Sequence, residues 1–530
     1  MAADPSLGDS FIDLTIALEQ LWQQVRRELS RDGVKEWLLG APARYKKWWL
    51  HLVEHAPGHV VVETALILFI IWLIFLRKTV DPSKEDSFLS EKEIDQLVEE
   101  WQPEPLVPGP DPAWDEEDAQ ALVVEEVDGT RVVVNGKKMI NMASFDFLGL
   151  AGRGEVKEAA RAALNKYGCG SCGPRGFYGS IDVHVMAEQA MAAFLGAEEA
   201  ISYSDAASSV SSTLPAFAKK GDLLIADEGV YEPIQTAINL SRAQVRYFRH
   251  NDMEDLERVL REVAEEDRRL DRNEREQRRF IVVEGLYKNF GDLCPLPALI
   301  ALKRQYRYRL YLDQTFSFGC FGTAGRGLAE HFGVPLADVE VMSVSISHAL
   351  GSVGGMCVGT SEVVDHQRLS GAGYCYSASA PPFTSSAAMA ALALLEKEPE
   401  LVTKLRENAV WLARALGKIP GLEVRSQEIS PVLHVGVAKA VSDGWTREEE
   451  ERVLQAIARA CVDAGYAVVT SKYTLLDVEA VSKGGLLPEP SLRLAVSAVH
   501  TRAELEGAVE AIRRSAAGVL KKHAGGRKGG

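Results

Sequence analysis

Seven cysteines in 530 residues are too few for a disulfide framework in a chain of this length, so a reducing compartment is expected. Cys169 and Cys172 form one CxxC, CGSC, inside a glycine run. With no second CxxC to complete a zinc site, neither zinc nor redox chemistry is expected, and no metal is assigned. Clustered basic charge is missing as well. The net charge of −16 argues against a nucleic-acid partner, because neutralising phosphates needs grouped Lys and Arg. No internal repeat is visible. The N-terminus, MAADPSLGD, is acidic where a signal peptide would be basic. Long hydrophobic runs are absent with one exception.

That exception is VVVETALILFIIWLIFL, residues 60–76, apolar except for Glu63 and Thr64. As a helix it would span about 26 Å, enough for a thin bilayer, and Arg77-Lys78 closes it. A single membrane span over residues 59–78 is therefore expected. Bases lie on both sides: Arg44, Lys46 and Lys47 before it, Arg77, Lys78 and Lys84 after it. The large C-terminal part with its reduced cysteines is expected to face the cytosol. Residues 1–58 are read as amphipathic or interfacial helices. Leu14, Leu18, Leu21, Trp22, Val25 and Leu29 recur at helical spacing, and RYKKWWLHL (44–52) mixes bases with tryptophans.

Residues 79–138 read as a helix, an acidic proline-rich linker and a hairpin. Ser90 and Glu93 form a capping box before Ile94, Leu97, Val98 and Trp101. Asp128-Gly129 and Asn135-Gly136 supply the turns of the hairpin. From 139 to 384, apolar strand-length runs alternate with helix-length segments: 200–204, 223–227, 245–250, 279–285, 309–313 and 341–345. Strands buried on both faces and spaced by helices predict an α/β, doubly wound, mainly parallel sheet. The charged run 265–279 reads as a solvated face. Residues 385–520 predict a smaller α+β domain with strands near 432–437, 466–471 and 491–497, followed by a basic, glycine-rich tail at 521–530.

Within this frame lie SFDFLGL (144–150), KYGCGSCGPRGFYGSIDVH (166–184), RFIVVEGLY (279–287), CPLPALIALK (294–303), GRGLAEHFG (325–333) and DHQRLSGAGYCYSASAPP (365–382). Singly, each glycine-rich loop is a weak signal. Their order and spacing resemble the α-oxoamine synthases, fold-type I enzymes that use pyridoxal phosphate (PLP) to join an amino acid to an acyl-CoA. The resemblance is closest to the subunit 1 family of serine palmitoyltransferases, rather than subunit 2. It covers residues 85–515 well and the first 80 in layout only.

The resemblance implies a transferase-like fold, PLP as cofactor, and chemistry that makes 3-ketodihydrosphingosine from L-serine and palmitoyl-CoA. It also implies departures in this chain. The family's cofactor lysine falls on His348, and an imidazole cannot form the imine that a primary amine forms. The ring-stacking histidine falls on Tyr231, and a further histidine on Phe316. The ring-nitrogen aspartate is matched by Asp313, which has a purely structural reading at a strand end. Arg493 matches the arginine that takes the amino acid's carboxylate, with a structural ion pair as its alternative. The expected role is a non-catalytic subunit that completes, across an interface, the site of a partner bearing the PLP lysine. Ser377, Ser379, Gly168 and Gly170 are the candidates for reaching the partner's PLP, although the family's phosphate contact falls between the serines, on Ala378. Implied partners are the catalytic long-chain-base subunit 2, a small activating subunit, Orm-type regulatory membrane proteins and membrane lipid. The implied location is the endoplasmic reticulum membrane. A membrane-tethered regulatory pseudoenzyme is the alternative, and a third reading uses Lys288 as the cofactor lysine.

Overall fold

Turn chemistry builds the first sheet. Strands β1 (Val124–Asp128), β2 (Arg131–Val134) and β3 (Lys137–Asn141) form an antiparallel meander. Its turns carry Gly129, Asn135 and Gly136 at positive φ, as the two dipeptides predict. The structure is a computed structural model that describes residues 46–47, 51, 57–76, 91–102, 123–272, 276–473 and 481–527. The expected helix near residues 14–29 and Ser90 lie outside the described residues, as do all of the proline-rich linker except 102 and most of RYKKWWLHL.

The second sheet carries the chemistry-bearing edge. It contains β4 (Glu199–Tyr203), β5 (Leu223–Asp227), β6 (Gln244–Phe248), β7 (Arg279–Glu284), β8 (Arg309–Asp313), β9 (Val341–Ser345) and β10 (Gly355–Gly359). The spatial order is β4-β10-β9-β8-β7-β5-β6. Neighbours from β9 through β6 pair in parallel, and only β10 runs against the rest. All six strands expected in this region are present. β10 is the addition. Gly351 and Gly354 take positive φ in the return from β9 into β10. A Cβ at Gly351 would lie 2.4 Å from the Ala151 nitrogen, so close packing requires glycine there.

A third sheet, ordered β11-β12-β15-β14, joins β11 (Leu422–Val424), β12 (Val432–Val437), β14 (Val469–Thr470) and β15 (Leu492–Ala495). The run expected as one strand at 466–471 divides. β13 (Tyr466–Ala467) adds in parallel to β3, while β14 pairs with β15. One apolar core runs continuously from Met142 to Ala516 and packs the second and third sheets. The expected tail is helical for most of its length, because the helix Arg502–Arg527 continues through it.

The charged run at 265–279 is more than a solvated face. Arg279 and Asp267 are both buried and pair at 2.6 Å.

Residues 1–115 and 116–530 form two separate units. In the first, the apolar run forms the helix Pro57–Leu76 and the amphipathic one the helix Glu91–Glu100. Many side chains of Pro57–Leu76 lie outside the described residues. Among the described residues no helix is long and apolar enough to cross a membrane, so the structure gives the expected span no support.

Candidate functional site

The parallel strands β5, β7, β8 and β9 end at Asp227, Glu284, Asp313 and Ser345. Loops leaving that carboxyl edge are where an open α/β sheet forms its crevice. Glu284 and Asp313 are register partners across β7 and β8, and both are buried. Each carboxyl is satisfied locally. Glu284 accepts from the Tyr231 and Lys288 backbone N–H groups at 2.7 and 3.0 Å. Asp313 accepts from the Thr315 backbone N–H at 2.6 Å and from the Tyr231 hydroxyl at 2.7 Å. Burial raises the pKa of both carboxyls. Burial also holds the Tyr231 phenol well above its usual range, so it remains a proton donor to Asp313.

An aromatic stack covers this pair. The Tyr231 ring meets the Phe316 ring edge-on at 6.0 Å, and Phe316 lies nearly parallel to the His348 imidazole at 4.6 Å. Phe145, from SFDFLGL, closes the stack against both Phe316 and His348 at about 5 Å between ring centres. The Phe147 N–H donates to the His348 carbonyl and fixes the loop. Two cations flank the stack. The Arg493 guanidinium sits 4.4 Å above Phe145 and donates to the Ala143 carbonyl, with its Nε buried and unpartnered. The Lys288 ammonium lies 6.0 Å from the centre of the Tyr231 ring. Burial, aided by Lys288 and Arg493, pushes the pKa of His348 down to about 4, so its imidazole is neutral.

These residues do not fit PLP held by this chain alone. The Asp313 oxygen that a pyridinium N–H would need is engaged by Tyr231, the stack brings Phe316 against His348, and position 348 has no primary amine. The structure thus brings Asp313, Tyr231, Phe316 and His348 together, with Arg493 attached through Phe145. No carboxylate partner of Arg493 is present among the described contacts, so the ion-pair reading finds no support there.

Gly168, Gly170, Ser377 and Ser379 belong to a second cluster. The Ser379 N–H donates to the Gly173 carbonyl at 3.0 Å, its hydroxyl donates to the Gly179 carbonyl, and Ser171 donates to the Ser379 carbonyl at 2.8 Å. Ser379 is therefore occupied in stapling two loops, whereas Ser377 is half-buried and, among the described contacts, reaches the neighbouring Ala378 carbonyl. Neither Gly168 nor Gly170 is in close contact within this chain. A Cβ at either would meet open space, but at Gly179 it would lie 1.8 Å from the Gly173 oxygen.

Arg175 holds this loop from beneath. It is buried, grips Glu188 through two bonds of 2.6 and 3.0 Å, and donates to Ser202. Above it Phe177, Tyr178 and Tyr376 are exposed, and Tyr178 takes φ +65°. Sequence reasoning missed Phe145, Glu284, His184 and His434. His184 Nε2–H donates to the Ala380 carbonyl. His434, opposite Arg493 on β12, accepts from Ser491 and donates to the Lys288 carbonyl. The only sequence signal for Glu284 was its place at the end of an apolar strand.

A parallel sheet with its buried carboxylates at the carboxyl edge, and a second sheet pressed against that edge, define the class. The chain matches the family model "Aminotransferase class I and II" over residues 137–512 and belongs to that family. Within it, the chain belongs with the long chain base biosynthesis protein 1 and serine palmitoyltransferase 1 proteins. It is 40% identical to long chain base biosynthesis protein 1b of Oryza sativa subsp. japonica over 88% of this chain and 93% of that one. It is 37% identical to serine palmitoyltransferase 1 of Dictyostelium discoideum over 89% and 96%. Among solved structures, a serine palmitoyltransferase from S. paucimobilis with a bound PLP–myriocin aldimine is 25% identical. It superposes with a TM-score of 0.66, covering 75% of this chain and 93% of that one.

Proposed function

We propose that this chain is the non-catalytic but required subunit of a serine palmitoyltransferase, the enzyme that condenses L-serine with palmitoyl-CoA to 3-ketodihydrosphingosine, CoA and CO2. The observation that carries the reading is the Tyr231 hydroxyl on Asp313 beneath the Phe316–His348 stack, which fills the chain's own crevice with its own side chains. A partner of the same fold, the catalytic long-chain-base subunit 2, supplies the lysine that binds PLP. This chain stabilises that partner and completes its site with the loop that Arg175 anchors. PLP supplies the electron sink for the condensation when it is bound in the partner.

Residues 60–76 anchor the chain in the endoplasmic reticulum membrane, with the sheet-bearing part in the cytosol. The support for this is the apolar run itself. A small activating subunit and Orm-type membrane proteins complete the assembly.

Co-expression tests the reading. The partner alone should be inactive or unstable, and full activity and stability of the partner without this chain would leave a tethered regulatory protein as the answer. Reduction with borohydride followed by peptide mapping should place PLP on the partner only. One observation favours the other assignment, the Lys288 ammonium near Tyr231. Label on Lys288 would establish it and refute ours. Extraction at alkaline pH tests the anchor: deleting residues 1–80 should release the chain from membranes.

A further inference from the structure

The C-terminal helix Arg502–Arg527 has two unlike faces. One is pinned to the protein: Leu505, Ala508, Ile512 and Ala516 are buried. His523 lies 3.0 Å from a Glu449 oxygen and edge-on to Trp445 at 4.5 Å. The other face is exposed and carries Arg513, Arg514, Ala517, Gly518, Lys521, Lys522 and Ala524. Glu506 and Glu510 lie on the same side one to two turns earlier, but from Arg513 onward every exposed described residue is a cation or has almost no side chain. The chain bears −16 in total, yet after Glu510 it has no Asp or Glu, while Arg513, Arg514, Lys521, Lys522, Arg527 and Lys528 follow. Glu510 pairs with both arginines at 2.6 and 2.8 Å, and their side chains remain 55% and 75% exposed. The pairing leaves most of each guanidinium in water.

Arg514 and Lys521 lie two turns apart, so they point the same way, and the sequence repeats the interval at Lys528. A Cβ at Gly518, between them, would meet nothing within 4 Å. Small residues between the cations let the charged groups reach a flat surface without a bulky side chain holding it off.

We propose that this face docks on anionic phospholipid headgroups. The cations from Arg513 to Lys522 extend over about 14 Å of helix, too far apart to converge on one phosphate but matched to a plane of many. The face carries no aromatic residue on which a base could stack, which disfavours single-stranded RNA. The inward side chains fix which face is presented, so the patch is set by the fold rather than by a flexible tail. This docking needs neither the apolar run nor the catalytic partner, and it differs from both in being abolished by salt.

Lysine acetylation of the full chain in its complex, read by mass spectrometry, tests the proposal locally and is insensitive to how the rest of the chain meets the membrane. With vesicles of phosphatidylcholine containing about one-third phosphatidylserine, acetylation of Lys521 and Lys522 should slow at least fivefold. Vesicles of phosphatidylcholine alone should leave it unchanged, as should 0.5 M NaCl added to the anionic vesicles (about 4 Å of Debye length). Lys220 is the exposed internal control and should not respond. Arg513→Gln with Arg514→Gln should weaken the protection while the complex stays assembled. Equal rates with both vesicle types would overturn the proposal, as would stronger protection by a homopolymeric RNA than by anionic vesicles.

Discussion

The crevice at the ends of β7, β8 and β9 and the rim formed by 168–180 and 374–382 are built on opposite principles. In the crevice, both buried carboxyls and the ring space are occupied from within: Asp313 by Tyr231, Glu284 by two backbone N–H groups, and the ring space by Phe316 and His348. On the rim, a buried ion pair and several loop-to-loop hydrogen bonds hold Phe177, Tyr178 and Tyr376 out in water. A crevice satisfied by its own chain behaves as core. A rim that is rigid below and apolar above has the composition of an interaction surface. The contrast separates the two parts of the site: the crevice is closed by this chain's own side chains, while the rim presents exposed aromatic rings on a fixed base.

The largest expected effect strikes the rim's foundation. Arg175→Met leaves the Glu188 carboxylate buried and unpaired, and should cost about 3–5 kcal/mol in denaturant titration. It should remove assembly and activity together. An unchanged midpoint would mean that the loop is not held from below.

Next is the clip that fastens the Lys288 loop to β5 and β6. His250 is mostly buried, with Nδ1 2.8 Å from Asp227, Nε2 3.1 Å from Asp292, and its ring stacked on Phe290. Burial opposes its charge, but the two carboxylates outweigh burial and raise its pKa to about 10. The folded value thus lies above the unfolded one of about 6.5. Its contribution is full below pH 6.5 and is lost as pH rises toward 10. His250→Gln should lower stability at pH 7 by on the order of 3 kcal/mol and flatten the alkaline limb between pH 6.5 and 10. An alkaline limb of unchanged steepness would assign that limb to other groups.

Tyr231→Phe tests the crevice directly. It deprives a buried Asp313 oxygen of its donor and should cost about 1–3 kcal/mol, with activity of the assembled complex little changed. Reopening the crevice takes more than one residue. His348→Lys alone should give no turnover without a partner, because Tyr231 still occupies Asp313 and Phe316 still fills the ring space. Robust turnover by that single variant would show the crevice to be less filled than its geometry implies.

The smallest effect on stability, and the sharpest on the comparison, belongs to Gly170→Val. The new side chain meets open space within this chain, so the unfolding midpoint and the yield of complex should move by no more than about 0.5 kcal/mol equivalent. Turnover per assembled complex should fall if the rim lines a neighbour's site. Normal turnover per complex would reduce the rim to a structural turn.

How legible this was depended on the range of the interaction. Strands β4, β5, β7, β8 and β9 could be read because each is a short apolar run between helix-length segments, and burial on both faces removes the polar alternation, whereas β6, expected to be buried on both faces, is a half-exposed edge strand. β10 could not, since GMCVG looks like the end of a glycine loop, and only pairing with β4 and β9 makes it a strand. The split of residues 466–471 into β13 and β14 has the same cause, since each half pairs with a different sheet. For the site, motif order located Asp313, Tyr231, Phe316, His348 and Arg493. It gave no sign that the first two would bond to each other, or that Phe145 would close the stack. Composition alone does not tell Gly168 and Gly170, which meet open space within this chain, from Gly173 and Gly179, whose backbones touch.

By itself the sequence determined the alternation of strands and helices, the hairpin turns and the absence of an amine at position 348, because these depend on residue type and on spacing along the chain. Only the tertiary structure decided what fills the crevice, what holds the rim and which face of the last helix meets water. Those are contacts between residues such as Tyr231 and Asp313, 82 positions apart, and no local pattern specifies which distant partner a side chain will meet.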